Sequence, residues 1–376
     1  MGEVNIAAIV PYRIYPPKMG GQKGIALFYK YLSELKPLML ITTTDNHSES
    51  EGNITLHYLL KKSRFRYLDV SSFFRLRKLI QSKKISHLIL EHPYLGWLGI
   101  LLKWSTGVKL IIHSHNIEGL RFKSTGKWWW GILWNYEKYV HRNSDFNFFV
   151  TKEDLDYGLL NFKLKKEKCA VITYGIETNS IPSISERSSS RDILLNRHGI
   201  NPEHKILLFN GTLNYKPNEA ALDVILDSIL PDLLSKSRDQ FTILICGKNL
   251  PERFDQFKGT EGIIYAGFVD DIENYFRGSD IFINPVIEGG GIKTKLVEAL
   301  AWGLTCISTE DGALGIPEIL TGKKLITIPN GNWISFNEEI LRAAENTDSA
   351  LPEHYFHHFY WGNIAKKAFD TISSCH

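Results

Sequence analysis

Apolar residues along this chain fall into short unbroken runs, separated by longer stretches in which they recur every third or fourth position. Such runs read as parallel strands buried on both faces, and the longer stretches as helices with one packed side. In the first half, Asn5–Val10, Pro37–Thr43, Leu88–Glu91, Lys109–His113, Phe146–Val150 and Ala170–Ile172 predict strands. Gly24–Leu35, Ser72–Gln81, Leu95–Trp104, Trp128–Asn143 and Lys152–Asn161 predict helices. The polar, serine-rich stretch Glu177–Arg191 breaks the pattern and reads as a loop or linker near a domain boundary. The alternation then restarts. Strands are expected at Lys205–Asn210, Phe241–Cys246, Gly262–Ala266, Ile281–Asn284 and Thr305–Ser308, and helices at Pro217–Ile229, Ile272–Arg277 and Ile292–Trp302. His354–Ile372 reads as a closing helix. Strand–helix alternation on this scale predicts an α/β chain of two doubly wound Rossmann-like domains, residues 1–185 and 200–353, facing a central cleft. In such sheets ligands sit at the carboxyl ends of the strands.

Composition agrees with two ordinary cores: 376 residues, 43% of them hydrophobic. No apolar run approaches the roughly 20 residues that span a bilayer. Ile6–Val10 lacks a basic leader and reads as a first strand. Cys169, Cys246, Cys306 and Cys375 lie far apart without zinc spacing, as expected of free thiols in a reducing cytosol. The net charge of +3 hides an asymmetry. Residues 1–180 carry 26 Lys/Arg and 15 Asp/Glu, the remainder 18 and 26, so the halves stand at +11 and −8. A basic first half suits an anionic lipid surface or a phosphate-bearing acceptor. Pro11-Tyr12-Arg13 after the first strand is not the glycine fingerprint of a dehydrogenase, and no phosphate-binding P-loop occurs. The basic residues form no recognised nucleic-acid motif, so no nucleic-acid partner is expected.

The chemistry concentrates after strand Ile281–Asn284, in Glu288-Gly289-Gly290-Gly291-Ile292-Lys293-Thr294-Lys295-Leu296-Val297-Glu298. Glycines let backbone approach a ligand, and the unpaired N–H groups of the following helix start favour an anion. Lys293 and Lys295 add positive charge there. Glu298, further into the helix, can accept hydrogen bonds from two adjacent ribose hydroxyls. Diphosphate followed by ribose describes a nucleoside-diphosphate site.

The stretch from Asn284-Pro285 through Glu298-Ala299-Leu300-Ala301-Trp302-Gly303 to Thr309 resembles the donor-binding signature of GT-B fold glycosyltransferases of family 4. Gly20-Gly21 resembles that family's first glycine loop, and Asn210-Gly211-Thr212-Leu213-Asn214-Tyr215-Lys216-Pro217-Asn218 the opening of its second domain. Gly267-Phe268-Val269-Asp270-Asp271 and Arg277-Gly278-Ser279-Asp280 resemble the approach to the donor helix. Tyr360-Trp361-Gly362-Asn363-Ile364-Ala365 is similar to the helix that crosses back to the first domain, which assigns 354–376 to that domain. The family's two glutamates, with seven residues between them, are not both present. The earlier position is Gly290, with Glu288 two residues upstream, so Glu288 or backbone amides would contact the donor sugar.

The resemblance implies a retaining, metal-independent transfer from a nucleotide sugar, UDP- or GDP-linked, to a glycan or lipid-linked acceptor, with no further cofactor. It implies donor contacts from Gly211, Lys216, Gly247, Val269, Glu288, Gly289, Gly290, Gly291, Ile292, Lys295 and Glu298, and a catalytic role for Lys293 on the leaving diphosphate. In similar enzymes a histidine at the strand end His113-Ser114-His115-Asn116-Ile117-Glu118 serves the donor sugar; His115 is the first match and His113 the second. Asn116 would lie toward the acceptor, Glu118 would orient a histidine or belong to the acceptor site, and Gly20 and Gly21 would lie on a closing loop. Asp270-Asp271 form no metal-ligand pattern and read as caps of the following helix. A non-catalytic nucleotide-sugar-binding subunit, or an epimerase of the same architecture, is the alternative.

Arg121-Phe122-Lys123 and Lys127-Trp128-Trp129-Trp130, then Trp134, read as a segment at a membrane interface. Lys61-Lys62-Ser63-Arg64-Phe65-Arg66 and Arg75-Leu76-Arg77-Lys78 add charge. Both fit a cytoplasmic enzyme lying peripherally on an anionic membrane through residues 121–134.

Overall fold

The computed structural model describes residues 3–17, 20–47, 52–237, 240–345 and 350–375. The chain divides into two compact units, residues 1–175 with 359–376 and residues 176–358. Met1, Gly2 and His376, at the ends of the expected domains, lie outside the described residues.

The first unit is built on seven strands: β1 (Ile6–Ile9), β2 (Leu38–Thr43), β3 (Ile54–Leu60), β4 (His87–Glu91), β5 (Lys109–Ser114), β6 (Phe146–Phe149) and β7 (Cys169–Val171). They pair in parallel in the order β3-β2-β1-β4-β5-β6-β7. The order reverses between β1 and β4, which places a switch point at the ends of those two strands. Every residue of β1 and β4 is buried, as the unbroken apolar runs require. Helices Ser71–Ser82, Gly96–Thr106 and Trp130–Asn143 share one core with the sheet. Leu76, Ile80, Leu98, Leu102 and Val140 meet Ala7, Ile9, Leu88, Leu90 and Ile112 there.

The second unit carries six parallel strands, β8 (Lys205–Thr212), β9 (Phe241–Lys248), β10 (Ile263–Gly267), β11 (Ile281–Asn284), β12 (Thr305–Thr309) and β13 (Leu325–Ile328). Their order is β10-β9-β8-β11-β12-β13, with the switch point between β8 and β11. Phe209, Leu213, Leu222, Ile225, Ile243 and Ile283 belong to one buried cluster.

Several expectations need correction. β3 and β13 were not among the expected strands. Both are edge strands and largely apolar in sequence, Ile54-Thr55-Leu56-His57-Tyr58-Leu59-Leu60 and Leu325-Ile326-Thr327-Ile328. Most of the expected linker Glu177–Arg191 is helix, Ile184–His198. Ser183 caps it by accepting from Glu186 N, and the Glu186 carboxylate accepts from Ser183 N at 2.8 Å, a capping box. The first long helix spans Gly20–Leu35, so Gly20 and Gly21 form its opening turn and not a loop before it. The closing helix is two, Glu353–Phe359 and Trp361–Ser374, parted at the extended Tyr360.

The return of the chain to the first unit is anchored by aromatic packing. Trp361 is 2% exposed, with its ring 5.5 Å from Tyr174 and 6.5 Å from Phe28. A Cβ at Gly175 would come within 2.5 Å of the Trp361 ring. Trp361→Ala should therefore cost about 3–5 kcal/mol, read as a lower urea midpoint for the first unit. A loss below about 1 kcal/mol would show that the returning helix contributes little.

Candidate functional site

Two turns meet at the switch point of the second unit. β8 leads through Gly211 and Thr212 into helix Lys216–Val224, and β11 leads through the glycine run into helix Thr294–Ala301. Gly289 and Gly291 adopt φ of +90° and +72°, the left-handed region that side chains disfavour. A Cβ on Gly289 would stand 3.2 Å from Pro217 and 3.4 Å from the Tyr215 hydroxyl. Lys216 Nζ lies 3.1 Å from Glu288 Oε2, both partly exposed. The glycine run thus lies over the start of helix Lys216–Val224. Gly247 on β9 pairs in register with Gly211, and a Cβ there would fall 2.0 Å from the Gly211 carbonyl oxygen. That approach is a packing reason for glycine at 247.

The lysines are not loose charges. Lys293, at the cap position of helix Thr294–Ala301, donates through Nζ to the Gly289 and Gly291 carbonyls at 2.8 and 3.0 Å. Lys295 turns inward and donates to Asn210 O at 3.2 Å and Asn218 Oδ1 at 3.0 Å, with its ammonium 4.3 Å from the Phe209 ring centroid. Burial first, and the charge of Lys293 second, push the Lys295 ammonium down to about 7. Two buried side-chain oxygens at the strand ends, Asn210 Oδ1 and Asn284 Oδ1, lack a hydrogen-bond partner among the described residues. Asn284 is fully buried, with its amide N–H groups given to Ser308 Oγ and Gly312 O, so the free oxygen there is a cost of the fold. Both asparagines stand in the quoted motifs, yet sequence alone assigned them no role. Ile292 and Glu298 are half-buried on the same segment. Gly290, the position of the absent glutamate, is exposed and has no positive φ. Val269 follows β10, which β9 and β8 separate from β11, so it is set apart from the glycine run. Asp271 begins helix Ile272–Gly278 but does not cap its backbone. Its carboxylate binds Arg197 at 3.0 Å and accepts from the Asn274 side chain.

In the first unit the corresponding edge is organised around Glu91, the last residue of β4 and 1% exposed. His113, its register partner on β5, places Nδ1 3.0 Å from Oε1. His115 places Nε2 2.6 Å from Oε2. Tyr29, from helix Gly20–Leu35, donates its hydroxyl to Oε1 at 2.5 Å. Burial alone would raise the Glu91 carboxyl, but the two imidazoles outweigh it and hold it well below the usual carboxylate range. His113 is buried and His115 half-buried, so His115 is the imidazole with access to solvent. Its Nε2 engages the carboxylate, which leaves Nδ1 for other partners.

A second group adjoins. The His92 ring lies 4.7 Å from that of His115, and its Nδ1 is 3.1 Å from Glu118 Oε1. His92 holds φ +63°, ψ 160°, a strained conformation for a residue with a side chain, while its N–H donates to the His113 carbonyl at 3.0 Å. Glu118 is fully buried and accepts from Tyr94 at 2.5 Å and from Arg121 Nε and Nη2 at 2.8 and 2.6 Å. Against the opposing effect of burial, His92 and Arg121 bring its carboxyl to about 2. Glu118 therefore binds Arg121 and approaches His92, and orients neither His113 nor His115. Asn116 is half-buried beside this group. Gly20 and Gly21 are exposed, and a Cβ on Gly21 would meet nothing within 4 Å, so packing does not demand glycine there.

Glu91, His113 and His115 also offer three ligand atoms within 4.8 Å of one another, the grouping among the described residues that could hold a metal ion. Their hydrogen bonds to one another already satisfy those atoms. Glu91 and His92 were not singled out in the sequence. The one available signal was their position at the end of the apolar run Leu88-Ile89-Leu90, where a charged residue needs a partner.

A strand order that reverses once in each of two parallel sheets is the architecture of two Rossmann-like units, as in the GT-B glycosyltransferase fold. A family model described as Glycosyltransferase Family 4 matches residues 20–180, and one described as Glycosyl transferases group 1 matches residues 204–346. The chain belongs to this family-4, group-1 type of glycosyltransferase. It is similar to the O-antigen biosynthesis glycosyltransferase WbnH of Escherichia coli, 24% identical over 267 residues that cover 69% of this chain and 68% of that one. It is also similar to the UDP-Gal:alpha-D-GlcNAc-diphosphoundecaprenol alpha-1,3-galactosyltransferase of Escherichia coli, 22% identical over 250 residues, 64% of this chain and 61% of that one. Among solved structures it resembles Anabaena HepE in complex with UDP and glucose, with a TM-score of 0.70, 13% identity and coverage of 99% of this chain and 100% of that one.

Two outcomes are expected. Diphosphate binding favours the protonated form of Lys295, so UDP affinity should fall as pH rises through about 7. Lys295→Met should be weaker overall and lose that pH dependence in calorimetry; an unchanged profile would remove Lys295 from the anion site. Glu91→Gln should lower the rate of transfer at least about tenfold, roughly 1.4 kcal/mol, with UDP affinity intact. Full turnover would show that the clamp on His115 is dispensable.

Proposed function

We propose that this glycosyltransferase moves a sugar from a UDP- or GDP-sugar to a lipid-linked or glycan acceptor in cell-surface polysaccharide synthesis, with retention of anomeric configuration. The observation that carries the reading is the carboxyl edge between β8 and β11. A helix start, two left-handed glycines, two inward-bonded lysines and the unpartnered Asn210 oxygen converge there. Such an edge fits an anion followed by hydroxyls. The names of the relatives, which speak of O-antigen, UDP-galactose and a diphosphoundecaprenol acceptor, support the substrate class.

On this reading the backbone N–H groups of the glycine run and the start of helix Thr294–Ala301 receive the diphosphate. The Lys293 ammonium, held over the loop carbonyls before the donor arrives, exchanges them for phosphate oxygens as charge builds on the leaving group. Glu298 accepts the ribose hydroxyls. The leaving phosphate takes the acceptor proton while the new bond forms on the same face, so no separate protein base is required. His115, held by Glu91 through Nε2, offers Nδ1 to a sugar hydroxyl. Charge stabilisation by amides and lysine assigns no step to a metal ion.

The test is transfer with purified protein, UDP-, GDP- and ADP-sugars and a polyprenyl-diphosphate-linked sugar acceptor. Nucleoside diphosphate should form only with acceptor present, survive EDTA, and leave a product with the donor's anomeric configuration by NMR. Glu298→Ala should weaken nucleotide binding about 5–30-fold, the worth of one or two charge-assisted hydrogen bonds. Unchanged affinity would sink the ribose assignment, and tight donor binding without transfer to any acceptor would favour a non-catalytic subunit.

A further inference from the structure

The second unit has a cavity of about 410 Å³ between the helical stretch after β8 and the helix after β13. The first of these walls runs through helix Lys216–Val224, a π turn at Ile225–Ile229 and helix Leu230–Ser237. Ser228 and Asp232, four residues apart, lie on one side of it and line the cavity. Helix Trp333–Glu345 faces them with Trp333 and Asn337, also four residues apart. Asn332, from the turn after β13, joins the lining. Asp232 stands roughly 24 Å along the helical stretch from Lys216, so the cavity is separate from the glycine run over Lys216.

The walls are fixed in place. Asn337 is 2% exposed and donates through Nδ2 to Ser228 O at 3.1 Å, which ties the two helices together. Its Oδ1 is buried and has no hydrogen-bond partner among the described residues. The carbonyl that Asn337 uses belongs to the π turn, a distortion that recurs at functional sites. Trp333 is half-buried, packs on the core cluster and has its ring 6.0 Å from that of Phe336. Lys236 Nζ donates to Asp232 Oδ2 at 3.0 Å, which leaves Oδ1 for another donor. Asn332 Oδ1 accepts from Ser335 N at 3.2 Å, which orients the side chain and leaves its amide N–H groups available.

We propose that this cavity binds a neutral saccharide, with one sugar ring laid on Trp333 and its hydroxyls bonded by Asp232 and Asn332. A sugar has an apolar C–H face and a rim of hydroxyls that both donate and accept. An indole matches the face, and a carboxylate beside a carboxamide supplies an acceptor and a donor for the rim. The volume lies within the range of small-molecule sites. No Lys or Arg lines the cavity, and Asp232 puts a carboxylate into it, so a phosphorylated or acidic ligand is disfavoured. Asp and Ser are depleted at protein–protein interfaces, which makes a protein occupant the poorer match. A glycan is the class of molecule that the assigned transfer extends. That source rests on the reading above, whereas the binding itself does not. A second hold on the glycan would raise its effective concentration between transfers.

The experiment is saturation-transfer NMR on the full chain with maltotriose, lactose and N,N′-diacetylchitobiose, with excess UDP present. At least one should bind with a dissociation constant on the order of 1 mM, and its sulfated form at least about tenfold more weakly. Asp232→Asn should weaken binding about tenfold. Trp333→Ala should remove it, and Trp333→Phe should keep a measurable part. Far-UV circular dichroism and UDP binding should stay unchanged in Asp232→Asn and Trp333→Phe, which carry the test if Trp333→Ala fails to fold. No binding of any of the three saccharides, undiminished binding in Asp232→Asn, or equal binding of the sulfated form would overturn the proposal. So would a self-associated chain that Asp232→Asn dissociates and saccharide does not, which would show a protein occupant. Transfer to a short acceptor should survive Asp232→Asn, so loss of the saccharide site and failure of the assigned reaction read out separately.

Discussion

A parallel sheet covered by helices on both faces leaves few places for polar chemistry. Its strands are buried along their length, and backbone groups become available only where a strand ends and the next helix has not yet begun. Both sheets of this protein obey that constraint, and both have their unusual residues at the carboxyl edge near the reversal of strand order. In the second unit those residues are glycines, lysines and strand-end asparagines. In the first they are a carboxylate and three histidines.

The two edges meet the cost of burying polar groups with different partners. Around Glu91 and Glu118 each buried carboxylate collects imidazole, guanidinium or phenol partners until its charge is balanced within the unit. Glu137 is a third buried carboxylate nearby. It accepts from Glu118 N and Gly119 N at 2.9 Å each, and burial pushes it up to about 8. It closes the start of helix Glu118–Ser124 with its side chain, where that helix's own cap residue, Ile117, supplies no side-chain hydrogen bond. At the other edge Lys295 donates to Asn210 O and Asn218 Oδ1 while burial depresses its ammonium. Among the described residues both edges keep buried side-chain atoms without a hydrogen-bond partner, Asn210 Oδ1 and Asn284 Oδ1 at one and His92 Nδ1, His113 Nε2 and Glu118 Oε1 at the other.

The amino-acid pattern carried most of the fold because buried parallel strands centre on unbroken apolar runs. β1, β4, β5, β8 and β11 contain such runs and were legible, and β12, Thr305-Cys306-Ile307-Ser308-Thr309, was expected as well although hydroxyl residues flank its centre. β3 and β13 were not expected although both are largely apolar, whereas β7 and β10, which also lie at sheet edges, were. The serine-rich start of Ile184–His198 looked like linker because its burial is slight: Ser190 and Leu194 alone face inward. Its capping box, Ser183 with Glu186, was the available signal, and it is local enough to read from sequence.

What the sequence determined by itself was the class of protein and the glycine- and lysine-rich strand-to-helix turn at Glu288–Glu298, because glycines, lysines and a change of periodicity act over a few neighbouring residues. It also set two histidines, His113 and His115, at the end of a strand. Only the tertiary structure decided what each charged group touches. It turned Lys293 onto the loop carbonyls and Lys295 onto Asn210 and Asn218, and paired Lys216 with Glu288. It brought Glu91, 22 residues before His113, into contact with both His113 and His115. Those contacts join separate strands across a sheet, and their free energy depends on burial and on distances of a few ångströms, which residue order does not encode locally.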